Sequence, residues 1–182
     1  MFRMYEDLQK ILITEEEINH RVLELAKILD NEYVDKNPLM VCVLKGSVIF
    51  FSDLLRAMTI PLELDFMAVS SYGSLTVSTG KINVIKDLAI NIEGRHVIIV
   101  EDIADTGHTL KHLKRMLYAR HPKSLKICAL LNKFERREVE LEPEYKGFDI
   151  GNDFVVGYGL DYQERYRNLP VIGILKEDVY TK

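Results

Sequence analysis

Val97-Ile98-Ile99-Val100-Glu101-Asp102-Ile103-Ala104-Asp105-Thr106-Gly107-His108-Thr109 is the stretch from which the rest of the chain is read. Four consecutive β-branched residues, Val97 to Val100, have the apolar continuity of a strand buried on both faces. Two adjacent carboxylates, Glu101 and Asp102, stand at its carboxyl end, and in open α/β sheets ligands bind at that end. Asp105 to Thr109 then occupy the point where a helix begins. A glycine and two hydroxyls at a helix N-terminus make a phosphate cradle, because free N–H groups and the helix dipole both favour an anion. Three carboxylates beside a phosphate would repel it, so they must serve some other purpose, such as gripping sugar hydroxyls, holding Mg2+ or moving a proton. A ribose phosphate supplies hydroxyls and phosphate together. The plainer reading, an acidic loop whose Asp105 caps the helix, fits Asp105 equally well. It fits Glu101 and Asp102 poorly, because neighbouring carboxylates after a buried strand are costly without a partner.

Outward from this stretch, apolar runs alternate with helical periods. Leu39–Leu44 reads as a buried strand, Gly46 follows, 47–58 reads as a helix and 62–70 as a second strand. Downstream, 106–121 reads as a helix with Leu110, Leu113, Met116 and Leu117 on one face, and 125–131 as a further strand. Thr14-Glu15-Glu16-Glu17 has the form of a capping box, and Ile18, Val22, Leu25 and Leu29 continue at helical spacing to about Asn31. Such alternation predicts an open, mainly parallel α/β sheet flanked by helices. The hydroxyl-rich segment 70–80 predicts a mobile loop or hairpin tip. Beyond Lys133 the pattern loosens, with 154–158 as its clearest strand, and this tail is expected to cover one end of the sheet.

Composition narrows the classes. The 182 residues are 47% hydrophobic and 29% charged, enough for a sizeable core in one domain. The net charge of −4 offers no basic field for nucleic acid, so an anionic ligand must be held by local groups. Cys42 and Cys128 each sit in an apolar run and read as buried, reduced thiols. MFRMYEDLQK, at the start, lacks the apolar stretch of a signal peptide, and the longest apolar runs fall far short of ~20 residues. A cytoplasmic protein without membrane contact is expected. Neither the P-loop nor the G-x-G-x-x-G pattern is present, and Gly157-Tyr158-Gly159 lacks the third glycine. His108 and His112 have metal-ligand spacing, but the first sits in the phosphate turn.

These residues carry a resemblance. The 97–109 stretch is similar to the signature with which type I phosphoribosyltransferases bind phosphoribosyl pyrophosphate (PRPP). The segment 39–170 resembles, in the same order, the bacterial hypoxanthine/guanine phosphoribosyltransferases. Leu44-Lys45-Gly46-Ser47 resembles that family's pyrophosphate loop, with its cis Leu-Lys peptide. Ser71-Tyr72 resembles the start of its mobile catalytic loop, and Lys133 with Phe154 to Tyr162 its purine pocket.

The resemblance implies a single domain with a core over about 36–135. A small hood would be formed by about 136–182 and part of the N-terminus. It also implies Mg2+-dependent transfer of a phosphoribosyl group from PRPP to a 6-oxopurine, by a homodimer or homotetramer. Glu101 and Asp102 would hold the ribose hydroxyls or Mg2+, and Asp105 would be the general acid/base at purine N7. Thr106, Gly107, His108 and Thr109 would bind the 5′-phosphate, and Lys45, Gly46 and Arg167 the pyrophosphate. Lys133 would reach the purine 6-oxo group, Phe154 would stack on the ring, the Val155 backbone would read its edge, and Asp161 would bind a second Mg2+. One departure stands out: His108 lies where many relatives carry Lys or Asn, so a ring contact to phosphate would depend on pH. Two rivals remain: a ligand sensor that keeps the fold but binds nucleic acid, and a transferase for another base.

Overall fold

The computed structural model describes residues 3–71 and 82–181. Its centre is a six-stranded sheet of order β4-β3-β2-β5-β6-β7, built from β2 (Leu39–Leu44), β3 (Glu63–Ser71), β4 (Ile82–Lys86), β5 (His96–Ala104), β6 (Ser124–Asn132) and β7 (Tyr145–Asp149). Every pairing is parallel except that of edge strand β4 with β3. Alternate residues of the central strands supply two cores. Met40, Cys42, Ile98, Val100, Cys128 and Leu130 face α2 (Glu15–Tyr33) and α3 (Val48–Ala57). Val41, Val43, Val97, Ile99, Ile127 and Ala129 face α4 (His108–Tyr118), which contributes Leu110, Leu113 and Leu117. Helices on both faces account for the unbroken apolar character of these strands.

Helix α2 starts as the sequence predicts. The Thr14 hydroxyl accepts the Glu17 N–H, and the Glu17 carboxylate accepts the Thr14 N–H at 2.8 Å. The connection after β2 crosses one face through α3, whereas that after β5 crosses the other through α4. The turns at residues 44–47 and 104–107 therefore diverge from neighbouring strands, forming the topological switch point at which such sheets bind ligands.

A second, three-stranded antiparallel sheet of order β1-β9-β8 lies apart from the first. It unites β1 (Leu8–Ile13), β9 (Ile172–Leu175) and β8 (Val155–Val156). The chain stays in the large sheet through Asp149, later than the boundary expected near residue 135.

Several expectations need correction. Strand β5 runs to Ala104, so Glu101 and Asp102 lie within it, not beyond it. Helix α4 begins at His108, and no side chain caps it. Its N-cap is Gly107, at φ +88°, so the capping role open to Asp105 is not used. The strand expected over 154–158 is only Val155–Val156. Gly157 (φ +101°), Tyr158 (φ +49°) and Gly159 (φ +103°) turn the chain away from the sheet. Ser71 is the last residue of β3, and Tyr72 lies outside the described residues.

Candidate active site

Asp102 and Gly46 meet at the switch point. A Cβ on Gly46 would stand 1.7 Å from Asp102 Oδ2, so only glycine lets the two strand ends come together. The Leu44–Lys45 peptide just before it is cis, as the resemblance implies. Ser47 fixes the end of this turn by donating from its fully buried hydroxyl to the Val43 carbonyl at 2.5 Å. Gly159 closes against the same turn, since its Cβ would lie 2.0 Å from the Gly46 carbonyl oxygen. Residues 157–160 are thereby held over the pyrophosphate turn suggested by the sequence.

Glu101 lines a separate small cleft of about 120 Å³ with Ile103, Asp105, Thr106, Gly107 and Thr109. Burial pushes the Glu101 carboxyl well above its ordinary range, and the neighbouring Asp102 carboxyl adds to the rise. Asp102 is also raised by burial, although the neighbouring Glu101 carboxyl and the Ile103 N–H (2.8 Å) oppose this. Glu101 Oε2 has no hydrogen-bond partner among the described residues. Such a pair is costly as it stands and suited to a ligand bearing hydroxyls or positive charge.

The remaining candidates arrange themselves around these acids. Asp105 Oδ1 lies 3.2 Å from Arg136 Nε, without hydrogen-bond geometry. Lys133 is almost fully buried at the end of β6 and donates from Nζ to the Asp153 carbonyl at 2.7 Å. Its ammonium is lowered from the ordinary value by burial first. Lys133 is therefore not a solvated surface charge. Phe154 is partly exposed and stacks on Tyr180, centroids 5.0 Å apart, while Tyr162 meets it edge-on at 5.8 Å.

Asp161 accepts the Glu164 N–H at 2.8 Å and pairs with Arg167 Nη2 at 2.9 Å. Arg167 Nη1 donates to the Gly159 carbonyl at 2.8 Å, and the guanidinium acts electrostatically on Asp102. Lys45 Nζ and Arg167 Nη2 both reach Glu164, at 3.2 and 3.3 Å, so the side chains of two residues expected near the pyrophosphate converge on one carboxylate, although the contact expected of Lys45 is through its backbone. The His108 ring is turned to Glu138, Nε2 to Oε2 2.8 Å. Among the described residues, no group of three or more His, Cys, Asp or Glu side chains forms a metal cage.

Residues 10–163 match the phosphoribosyl transferase domain family, and the chain belongs to it. Its similarity extends to particular members. The hypoxanthine-guanine phosphoribosyltransferase of Streptococcus thermophilus (strain CNRZ 1066) is 49% identical over 177 residues, which are 97% of this chain and 98% of that protein. The crystal structure of a hypoxanthine phosphoribosyltransferase from Staphylococcus aureus superimposes with a TM-score of 0.97 at 47% identity, covering 100% of this chain and 98% of that one. The bifunctional protein TilS/HprT of Listeria monocytogenes serotype 4b (strain F2365) is 51% identical over 179 residues. Those are 98% of this chain but 28% of that protein.

Sequence reading missed Arg136, Arg137 and Asn132. The arginines follow Lys133 closely, which was a usable signal, but their direction depends on a 3-10 turn at Phe134–Arg136 that no periodicity announces.

Proposed function

We propose that this chain salvages purines by moving the phosphoribosyl group of PRPP to N9 of hypoxanthine, and of guanine, releasing pyrophosphate. The observation that carries the reading is the switch-point arrangement. Half-buried Glu101, whose Oε2 lacks a hydrogen-bond partner among the described residues, and buried Asp102 adjoin a glycine turn at a helix N-terminus. The glycine turn at Lys45–Gly46 abuts Asp102, and the Arg167 guanidinium acts on the same carboxylate.

In this reading Glu101 and Asp102 orient the ribose and face the positive charge that grows on its ring as the C1–O bond breaks. Backbone N–H groups of residues 106–109 hold the 5′-phosphate. The turn at Lys45–Gly46, with Arg167, takes up the charge of the departing pyrophosphate. Asp105 exchanges a proton with purine N7, Lys133 donates to the 6-oxo group, and Phe154 and the Val155 backbone fix the plane of the base.

Mg2+ fits the donor set. Glu101, Asp102 and Asp161 are carboxylates, and few protein ligands suffice where substrate phosphates complete the shell. Bound there, it would neutralise pyrophosphate oxygens. The segment beginning at Ser71 and Tyr72 would exclude water during transfer. The single domain with a hood and the homodimeric or homotetrameric state belong to the same proposal and rest on the resemblance, and the cytoplasmic location belongs to it as an expectation from the sequence. No helix of the described residues is long and apolar enough to cross a membrane, and both cysteines are free and buried.

A panel of hypoxanthine, guanine, xanthine, adenine and uracil, assayed with PRPP and Mg2+ for pyrophosphate release, tests the proposal. Turnover with hypoxanthine is expected. Turnover only with uracil or adenine would reassign the pocket, and none with any base would leave the ligand-sensor reading.

A further inference from the structure

Asn132 ends β6 with no solvent exposure, yet its amide must be satisfied. Its Nδ2 donates to Asp149 Oδ1 at 2.6 Å, and its Oδ1 accepts from Arg137 Nη2. The same guanidinium turns Nη1 to the backbone carbonyl of Asp105 at 2.8 Å. The next residue, Glu138, donates its N–H to the carbonyl of Thr106 at 3.0 Å. Arg137 Cδ and Val139 Cγ2 stand so close behind Gly107 that a Cβ there would meet each at 2.9 Å.

Planarity of the peptide unit gives these contacts a consequence. In a trans peptide the C=O and the N–H that follows it point in opposite directions. Arg137 draws the Asp105 carbonyl backward, so the Thr106 N–H points forward. Glu138 draws the Thr106 carbonyl backward, so the Gly107 N–H points forward as well. Both N–H groups then face the cleft lined by Glu101, Asp105, Thr106 and Gly107, and neither has a backbone acceptor among the described residues. Successive N–H groups aimed into one concavity bind anions.

We infer that Arg137 is a positioning residue that sets the phosphate turn from behind. Through the Asp105 carbonyl it orients the N–H donors that grip the 5′-phosphate, and Asn132 and Asp149 fix its guanidinium. The inference rests on the proposed reading of residues 105–109 as the phosphate site. Arginine is required because one planar fork serves two acceptors lying in different directions, Asp105 O and Asn132 Oδ1. A lysine ammonium would leave one of them unmade.

Initial rates with PRPP varied at saturating hypoxanthine, and with hypoxanthine varied at saturating PRPP, test it together with calorimetric binding of inosine monophosphate. For Arg137→Ala we expect KM for PRPP and Kd for the nucleotide to rise about tenfold or more. KM for hypoxanthine should stay within about threefold, because the base site is built by other residues. Methylguanidine added to Arg137→Ala should recover part of the lost affinity, and Arg137→Lys should remain defective. KM for PRPP within about twofold of the parent in Arg137→Ala would overturn the inference. So would losses equal for PRPP and base, without rescue by methylguanidine. If the alanine variant does not fold, Arg137→Lys, which keeps stem and charge, decides the question by the same ratio of KM values. Failure of the parent enzyme to turn over PRPP with any base would instead sink the site assignment itself.

Discussion

The two ends of the large sheet treat buried polar groups in opposite ways. At the amino end Asp65 and Glu32 are satisfied from within. Burial raises the Asp65 carboxyl, but N–H groups of Phe66, Ala89 and Ile90 at 2.7, 2.7 and 3.0 Å and Lys86 at 3.3 Å outweigh it, leaving the net value lowered. Glu32 is likewise lowered despite burial, through bonds from Lys126 and from the Tyr145 hydroxyl. At the carboxyl end Glu101 and Asp102 are raised and Lys133 is lowered, each group pushed by burial away from its charged form. The same sheet thus has one end finished by its own side chains. The other retains unspent electrostatic demand, the pattern expected where a ligand completes the structure.

Breaking the active end should cost most in rate. Asp105→Asn is expected to lower kcat by about 10²–10³-fold while PRPP affinity changes little, if Asp105 acts by proton exchange. Steady-state kinetics with product-binding measurements would separate the two, and matching losses would reduce Asp105 to a binding role.

Breaking the finished end should cost stability. Asp65→Ala strands three N–H donors and Lys86, and a loss of about 2–4 kcal/mol in urea unfolding is expected, with kcat nearly unchanged. The pH dependence has a definite sign. Because the folded value lies below the ordinary 3.8, the contribution of Asp65 is fully present above that pH and fades as pH falls through the folded value. The gap between parent and Asp65→Ala should therefore narrow in strong acid, and a constant gap would show that the carboxylate charge is not what matters.

Lys133→Met tests the active end from the other direction. It should raise KM for hypoxanthine about tenfold, while stability at pH 7 stays level or improves by less than about 1 kcal/mol, because a buried ammonium is removed. A large loss of stability would make Lys133 a structural lysine.

The smallest expected effect is a gain. Glu101 takes up its proton above the ordinary 4.5, so the folded state holds more protons than the unfolded one, and stability declines as pH rises from 4.5 through the folded value. Glu101→Gln should remove this decline, adding on the order of 1 kcal/mol at pH 8 and nothing near pH 4. Parallel pH profiles for parent and variant would count against the buried-acid account.

Legibility in the sequence followed the same divide between local and distant causes. Strands β2, β5 and β6 were readable because continuous burial leaves continuous apolar runs. Helix α2 was readable because its cap is encoded within four residues. Strand β1 was not, since LQKILI carries two register irregularities and shows no alternation. Strand β7 was hidden by Gly147, which reads as a breaker. Its Cβ would lie 2.3 Å from the Leu130 carbonyl oxygen, so close strand approach demands glycine there. In the site, the carboxylates and the glycine turn announced themselves through residue type and position. The partners of Lys133 and His108, namely the Asp153 carbonyl and Glu138, did not.

What the sequence alone determined is the strand–turn–helix unit at 97–109, with its acids and its glycine, because burial and backbone chirality act on near neighbours and leave a periodic trace. What only the tertiary structure decided is which distant segments press on that unit. Gly46 lies under Asp102, Gly159 lies on Gly46, and Arg137 stands behind Asp105 and Gly107. Those meetings depend on strand order and crossover side, and no periodicity along one segment records what another segment brings to it.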